Sequence, residues 1–115
     1  MENQLYPKKM NAAVLMDLHQ PLQIVELAVP KPKYGQVLVK VMATGICRTQ
    51  LLEISGQNTI GPMNPNLLGH EGSGIVEDVG EGVTKVKKGD HVILSWIKGS
   101  GHNVLPEKYD WGAQK

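Results

Sequence analysis

The sequence is short of cysteine, of excess charge and of long apolar runs. Its single cysteine, Cys47, excludes an intrachain disulfide, which is typical of a reducing compartment. Twelve basic residues against eleven acidic ones give no reason to expect nucleic acid or an anionic membrane as a partner. No segment approaches the roughly 20 apolar residues that cross a bilayer, and the polar start lacks the apolar region of a signal peptide. We therefore expect a cytoplasmic protein.

Glycine and proline divide the 115 residues into short pieces. There are 13 glycines and 7 prolines, a pattern that favours a β-rich barrel or sandwich in one small domain. One short helix is predicted over 47–54, closed by Ser55-Gly56. Periodicity and turn residues predict strands over 11–16, 22–29, 37–42, 74–79 and 91–96. No alternation of strands and helices occurs, so the domain is predicted to be mainly β.

Cys47 and the pair His70-Glu71 are the side chains most suited to metal chemistry. Thiolate and imidazole are the favoured ligands of zinc. The 23 residues between Cys47 and His70 exclude a local zinc finger, but two strand ends lying side by side would bring them together. The competing interpretations are a small buried hydrophobic residue for Cys47 and exposed polar surface for His70-Glu71.

Three segments resemble the zinc-containing medium-chain alcohol dehydrogenase family: Gly45-Ile46-Cys47-Arg48-Thr49, then Gly69-His70-Glu71 with Gly74, Gly80 and Val83, and Gly89-Asp90-His91-Val92. The resemblance covers about residues 11–96. It implies a partly open GroES-like β-barrel with a few short helices. Because the pattern ends at Lys115 without terminal punctuation, residues 1–115 are expected to be a fragment of the GroES-like catalytic domain, truncated before the Rossmann domain.

The resemblance implies a catalytic zinc site. Cys47 and His70 match two of the zinc ligands, and Glu71 matches an adjacent carboxylate that approaches the metal and tunes or replaces its water. In the family, zinc acts as a Lewis acid on the substrate alcohol. One zinc ion per chain is expected in the full enzyme.

The resemblance also implies roles for three further residues. Thr49 matches the hydroxyl that takes the hydrogen bond from the alcohol. Arg48 matches a residue that meets the pyrophosphate of NAD or NADP; the competing interpretation is an ordinary surface arginine. Trp96 matches a wall of the substrate pocket, with core packing as the alternative. The implied reaction interconverts a small alcohol and an aldehyde or ketone, in a full-length protein that is a candidate homo-oligomer.

The sequence departs from the family pattern at several positions. Gln50 replaces an aspartate that orients the zinc-bound histidine, which predicts a more weakly held metal. Leu52 replaces a histidine of the proton relay. The loop after Trp96 lacks the four cysteines of a structural zinc, and His102 there is interpreted as a loop histidine. The family's third catalytic ligand and its glycine-rich dinucleotide loop come after Lys115, so the chain alone is expected to be inactive and to bind zinc weakly or not at all.

Two alternative functions remain open at the level of sequence. One is a zinc-free medium-chain quinone or enoyl reductase, which shares the barrel but lacks the pair Cys47 and His70. The other is a non-enzymatic GroES-like barrel module. A scaffold has no need of a turn that presents Cys47, Arg48 and Thr49 together, which argues against the module.

Overall fold

The computed structural model describes residues 8–57, 66–97, 99–101, 104 and 108–109. Its contacts divide the chain into a first unit (Met1–Val29, Ile46–Gly69 and Tyr109–Lys115) and a second unit (Pro30–Gly45 and His70–Lys108). The elements in chain order are β1 (Lys9–Leu15), β2 (Gln23–Ala28), β3 (Val37–Thr44), α1 (Arg48–Ile54), β4 (Asn66–Leu67), β5 (Gly72–Val79) and β6 (His91–Leu94). The predicted mainly β fold is confirmed, with one short α-helix in the described ranges.

The first unit contains a three-stranded antiparallel sheet in the order β2-β1-β4. The strands predicted over 11–16 and 22–29 are present as β1 and β2, and they pair antiparallel with Met10 opposite Leu27. Val14, Leu15 and Leu27 are buried and form its core. Strand β4 was not predicted, because two residues are too few to show a period.

Helix α1 lies where the sequence predicted it. Cys47 is the N-cap residue in an extended conformation, and Ser55 is the C-cap residue. Gly56 follows with φ of 74°, in the left-handed region that commonly ends a helix. The helix therefore begins immediately after the cysteine of the sequence motif.

The second unit contains the antiparallel sheet β3-β5-β6, in which Val76 is buried. β5 begins at Gly72, two residues before the predicted start, because Gly72 pairs with both Thr44 and Leu94. Irregularities in the β3–β5 register, after Leu38 and after Val41, interrupt the strict in-and-out alternation that the valines of β3 predict.

Gly74 has a steric role at the centre of β5. A β-carbon on this residue would collide with the backbone carbonyl oxygen of Lys40 and would lie 2.7 Å from a methyl carbon of Val39. The colliding oxygen belongs to the main chain of β3, which is paired with β5, so the close approach of the two strands requires glycine.

One predicted strand end is wrong, and two other predictions concern residues that the structure does not describe. The last strand ends at Leu94, not at Trp96, which lies in a bend. The Gly, Pro and Asn content of residues 55–66 predicts a loop, but most of that segment and the predicted loop histidine, His102, lie outside the described residues. Among the residues described, none of the helical structure is long and apolar enough to span a membrane.

Candidate functional site

Glu71 is fixed through its backbone just before β5 begins. Its carbonyl oxygen accepts a hydrogen bond from the side-chain hydroxyl of Thr44 at 2.8 Å. The same oxygen accepts a longer one from the backbone N–H of Gly45 at 3.4 Å. The end of β3 therefore sets the position from which the His70-Glu71 pair projects.

The side chains of His70 and Glu71 lie beside each other. Nε2 of His70 is 3.6 Å from Oε1 of Glu71, and their side chains are 23% and 47% exposed. Ligand atoms at about 2.0–2.2 Å from one tetrahedral zinc ion lie about 3.3–3.6 Å apart. The observed separation therefore fits two ligands of a single zinc ion, and both chemical types suit that metal.

A cavity of about 570 Å³ opens beside this pair in the second unit. His70, Glu71 and Gly72 line one part of it, and the residues that follow β6 line another. Trp96 is among these and is 71% exposed. This exposure favours an indole that is accessible from the cavity over one packed in the core of the second unit. Its polar neighbours Ser73 and Ser95 were not singled out from the sequence.

The first unit brings Cys47 and Thr49 together at the start of α1. Sγ of Cys47 and Oγ1 of Thr49 are 3.6 Å apart, and both residues are half-buried. One hydrogen bond between thiol and hydroxyl joins them. The helix start thus presents a thiol and a hydroxyl on one short segment.

Gln50 has a structural role that the sequence did not reveal. Its side-chain oxygen accepts a hydrogen bond from the backbone N–H of Cys47 at 2.7 Å, and the residue is only 8% exposed. A glutamine three residues after an N-cap is the signal that predicts this contact. The amide interpreted as a weak substitute for aspartate therefore holds the backbone of Cys47.

The other motif residues of α1 differ in exposure. Arg48, the first residue of the helix, is exposed, and Leu52 is half-buried. An exposed guanidinium is accessible to an anionic ligand, but exposure alone does not distinguish that role from an ordinary surface arginine.

A charged turn leads into β6 and sets the position of the cavity wall. The carboxylate of Asp90 accepts hydrogen bonds from the backbone N–H of Lys87 at 3.0 Å and from its Nζ at 3.2 Å. These bonds, the backbone bond first, lower the pKa of Asp90 below its ordinary value. The turn is pinned to β5, since the N–H of Gly89 donates to the carbonyl of Val76.

The family model described as the alcohol dehydrogenase GroES-like domain matches residues 33–111. That range contains every site residue predicted from the sequence.

Curated and solved relatives agree with this match. The S-(hydroxymethyl)glutathione dehydrogenase of Synechocystis sp. is 53% identical over 85 residues, which are 74% of this chain and 23% of that protein. The structure of benzyl alcohol dehydrogenase from Acinetobacter calcoaceticus is 40% identical with a TM-score of 0.68, over 73% of this chain and 23% of that one. A cobalt- and zinc-bound thermostable alcohol dehydrogenase from Pyrobaculum aerophilum is 34% identical with a TM-score of 0.68, over 75% and 26%. The chain thus spans about a quarter of the length of these relatives.

Proposed function

We propose that this chain, which belongs to the zinc-dependent medium-chain alcohol dehydrogenase family, supplies ligands to a catalytic zinc in an enzyme that interconverts an alcohol and an aldehyde or ketone. The observation that carries the proposal is the 3.6 Å separation of His70 Nε2 and Glu71 Oε1. Both atoms are zinc-ligand types at a separation that one tetrahedral ion requires.

Cys47 is proposed as the sulfur ligand of the same ion. It follows Gly45 by two residues, and the N–H of Gly45 bonds to the carbonyl of Glu71. Two residues span at most about 7 Å, so the Cα of Cys47 stays within that distance of the Cα of Gly45. Chain connectivity therefore supports a thiolate within reach of the His70-Glu71 pair.

Bound at these residues, zinc would supply Lewis-acid chemistry to the oxygen of the alcohol. His70 would hold the metal through its imidazole ring, and Glu71 would place a carboxylate beside it, since Nε2 and Oε1 lie 3.6 Å apart. The hydroxyl of Thr49 would accept a hydrogen bond from the substrate hydroxyl and would pass its own proton to water as it takes up the proton of the alcohol. NAD or NADP, when bound, would supply the hydride acceptor, taking up the two electrons that the alcohol loses.

Arg48 and Trp96 are proposed to serve the two reactants. Arg48 is exposed at the start of α1, where its guanidinium pairs with the pyrophosphate of the cofactor. Trp96 offers an exposed indole in the cavity beside His70 and Glu71, where it packs against the carbon skeleton of the alcohol.

The 115 residues are proposed to be a GroES-like catalytic-domain fragment that does not turn over alcohol alone. Their sequence contains no Gly-x-Gly-x-x-Gly turn for a dinucleotide and no second cysteine for the metal. A catalytic zinc usually has three protein ligands, and the family's third ligand is not among these residues, so weaker binding is expected.

Zinc binding by the 115-residue chain tests the metal site. Competition with a chromophoric chelator is expected to give a weak but measurable affinity. Cys47→Ser and His70→Asn are each expected to lower it by more than about tenfold, since even outer-shell partners of a metal cost 10–100-fold. His91→Asn, which removes an exposed histidine at the start of β6, is the matched control and leaves the affinity unchanged. Equal affinity in all four proteins would refute the site.

A second assay tests the proposed inactivity. The chain alone, supplied with zinc, benzyl alcohol and either NAD or NADP, is expected to produce no reduced nicotinamide. Turnover above that of the Cys47→Ser variant would contradict the proposal that this chain needs a separate dinucleotide-binding domain.

A further inference from the structure

The carboxylate of Glu71 occupies the space that a side chain at Gly45 would fill. A β-carbon placed on Gly45 would collide with Oε2 of Glu71 and would lie 3.4 Å from both its Cβ and its Cδ. Gly45 is not among the glycines with positive φ, so its backbone conformation suits any residue. The carboxylate of Glu71 is therefore the obstacle to a side chain at this position.

We propose that Gly45 is a positioning residue whose missing side chain seats the Glu71 carboxylate beside His70. The inference rests on the proposed function only where it concerns the affinity for zinc. The seating itself is a relationship between three residues of the second unit, independent of any metal.

The backbone bonds of Glu71 determine how a clash at Gly45 would be relieved. The carbonyl of Glu71 is held by the hydroxyl of Thr44 and the N–H of Gly45, so the main chain is tied in place. The colliding oxygen lies at the free end of a flexible, 47% exposed side chain. An added methyl group therefore turns the carboxylate away while the fold stays intact.

The direction of this movement affects His70. Oε1 of Glu71 is 3.6 Å from Nε2 of His70, and both oxygens belong to one rigid carboxylate. When Oε2 is pushed from Gly45, Oε1 moves as well. Gly45→Ala is thus expected to alter the environment of the His70 ring without any contact between the new methyl group and that ring.

Side-chain NMR of the metal-free 115-residue chain tests the seating. The wild type is expected to show an NOE between the α-protons of Gly45 and the γ-protons of Glu71. Gly45→Ala is expected to shift the His70 ring and Glu71 carboxyl resonances, with an unchanged unfolding midpoint. Gly99→Ala is the matched control, because Gly99 also lacks a positive φ and a β-carbon there meets no atom within 4 Å.

A double-mutant cycle with Glu71→Ala shows whether Gly45→Ala affects His70 through the Glu71 carboxylate or through a general change in structure. With the carboxylate removed, the nearest atom to the methyl group at residue 45 is the Cβ of residue 71, at the ordinary contact distance of 3.4 Å. Gly45→Ala should then leave the His70 resonances of the Glu71→Ala protein unchanged. Equal His70 shifts in both backgrounds, or no shift in either, would overturn the inference.

Zinc affinity, measured on the same variants with zinc chloride alone, links the seating to the metal. Gly45→Ala is expected to weaken binding by about tenfold, the lower end of the effect of outer-shell partners. The weakening should vanish in the Glu71→Ala background. If the NMR cycle holds but the wild type binds no zinc, the metal site fails and the seating stands; if zinc binds through Cys47 and His70 but the cycle fails, the seating alone is refuted.

Discussion

The side-chain hydroxyl of Thr44 donates a hydrogen bond to the backbone carbonyl of Glu71 at 2.8 Å, across 27 residues of sequence. Thr44 is the last residue of β3 and pairs with Gly72, the first residue of β5. The bond therefore continues the ladder by one side chain beyond its last backbone pair. It ties the His70-Glu71 pair to the register of the sheet.

Thr44→Val tests the importance of this bond. Valine keeps the β-branched shape but removes the donor, so the free energy of unfolding is expected to fall by about 0.5–1 kcal/mol, a low value because Thr44 is exposed. Urea denaturation provides the measurement. Thr84→Val, at an exposed loop position, is the control and is expected to unfold like the wild type. Identical loss in both variants would show that the bond contributes nothing specific.

Gln50→Leu tests the cap of α1. The substitution replaces the amide by an apolar group of similar size and leaves the N–H of Cys47 without the acceptor at 2.7 Å. A loss of about 1–2 kcal/mol is expected, because an N-cap donor in a part-buried position loses its partner. Gln57→Leu is the matched control, since Gln57 is exposed beyond the end of α1. The measurement is the thermal unfolding midpoint of both variants. An unaltered midpoint for Gln50→Leu would contradict the capping role.

Gly74→Ala should be more harmful than Gly45→Ala, although each adds one methyl group. At Gly74 the new methyl group collides with the main-chain carbonyl of Lys40, which cannot rotate away, whereas at Gly45 it meets the end of a side chain. We expect Gly74→Ala to lower the free energy of unfolding by about 1–3 kcal/mol, the usual range for overpacking. Equal stability of the two variants in urea would contradict this distinction between backbone and side-chain obstacles.

The turn before β6 predicts a pH dependence of stability. The pKa of Asp90 is lowered in the folded protein, chiefly by the bond from the N–H of Lys87. The stabilisation is therefore present above its ordinary pKa of 3.8 and is lost as the pH falls through the lower folded value. When the pH is lowered below 3.8, the urea midpoint of Asp90→Asn should therefore fall less than that of the wild type. Lys87→Met, which keeps the backbone donor, should lie between Asp90→Asn and wild type; a wild-type profile for Asp90→Asn would refute the assignment.

The sequence determines most of the fold because its signals are local. The alternating valines of β3, the prolines after β2 and the glycine after α1 each act within a few residues, and the predicted elements lie there. The predicted strand bounds are wrong where pairing with a neighbouring strand determines them. Gly72 and Ser73 belong to β5 because they pair with β3 and β6. The short β4 is defined by its pairing with β1, in which Leu67 lies opposite Val14.

The candidate site was only partly accessible from the sequence. The residue types and the family resemblance indicate Cys47, His70 and Glu71 as site residues. The roles of the residues that hold them in position depend on three-dimensional contacts. Nothing local in the chain connects Thr44 or Gly45 with Glu71, 26 or more residues away. Gln50, by contrast, was detectable, since its spacing from the N-cap is that of a capping box.

X-ray absorption of the zinc-loaded 115-residue chain, at protein concentrations high enough to saturate a weak site, is the most direct test of zinc binding by Cys47 and His70. We expect one sulfur scatterer at about 2.3 Å from zinc together with imidazole nitrogen at about 2.0–2.1 Å. The sulfur shell should disappear in Cys47→Ser and the imidazole signal in His70→Asn. A wild-type spectrum with oxygen ligands alone, or one that neither substitution changes, would contradict a zinc site built from Cys47 and His70.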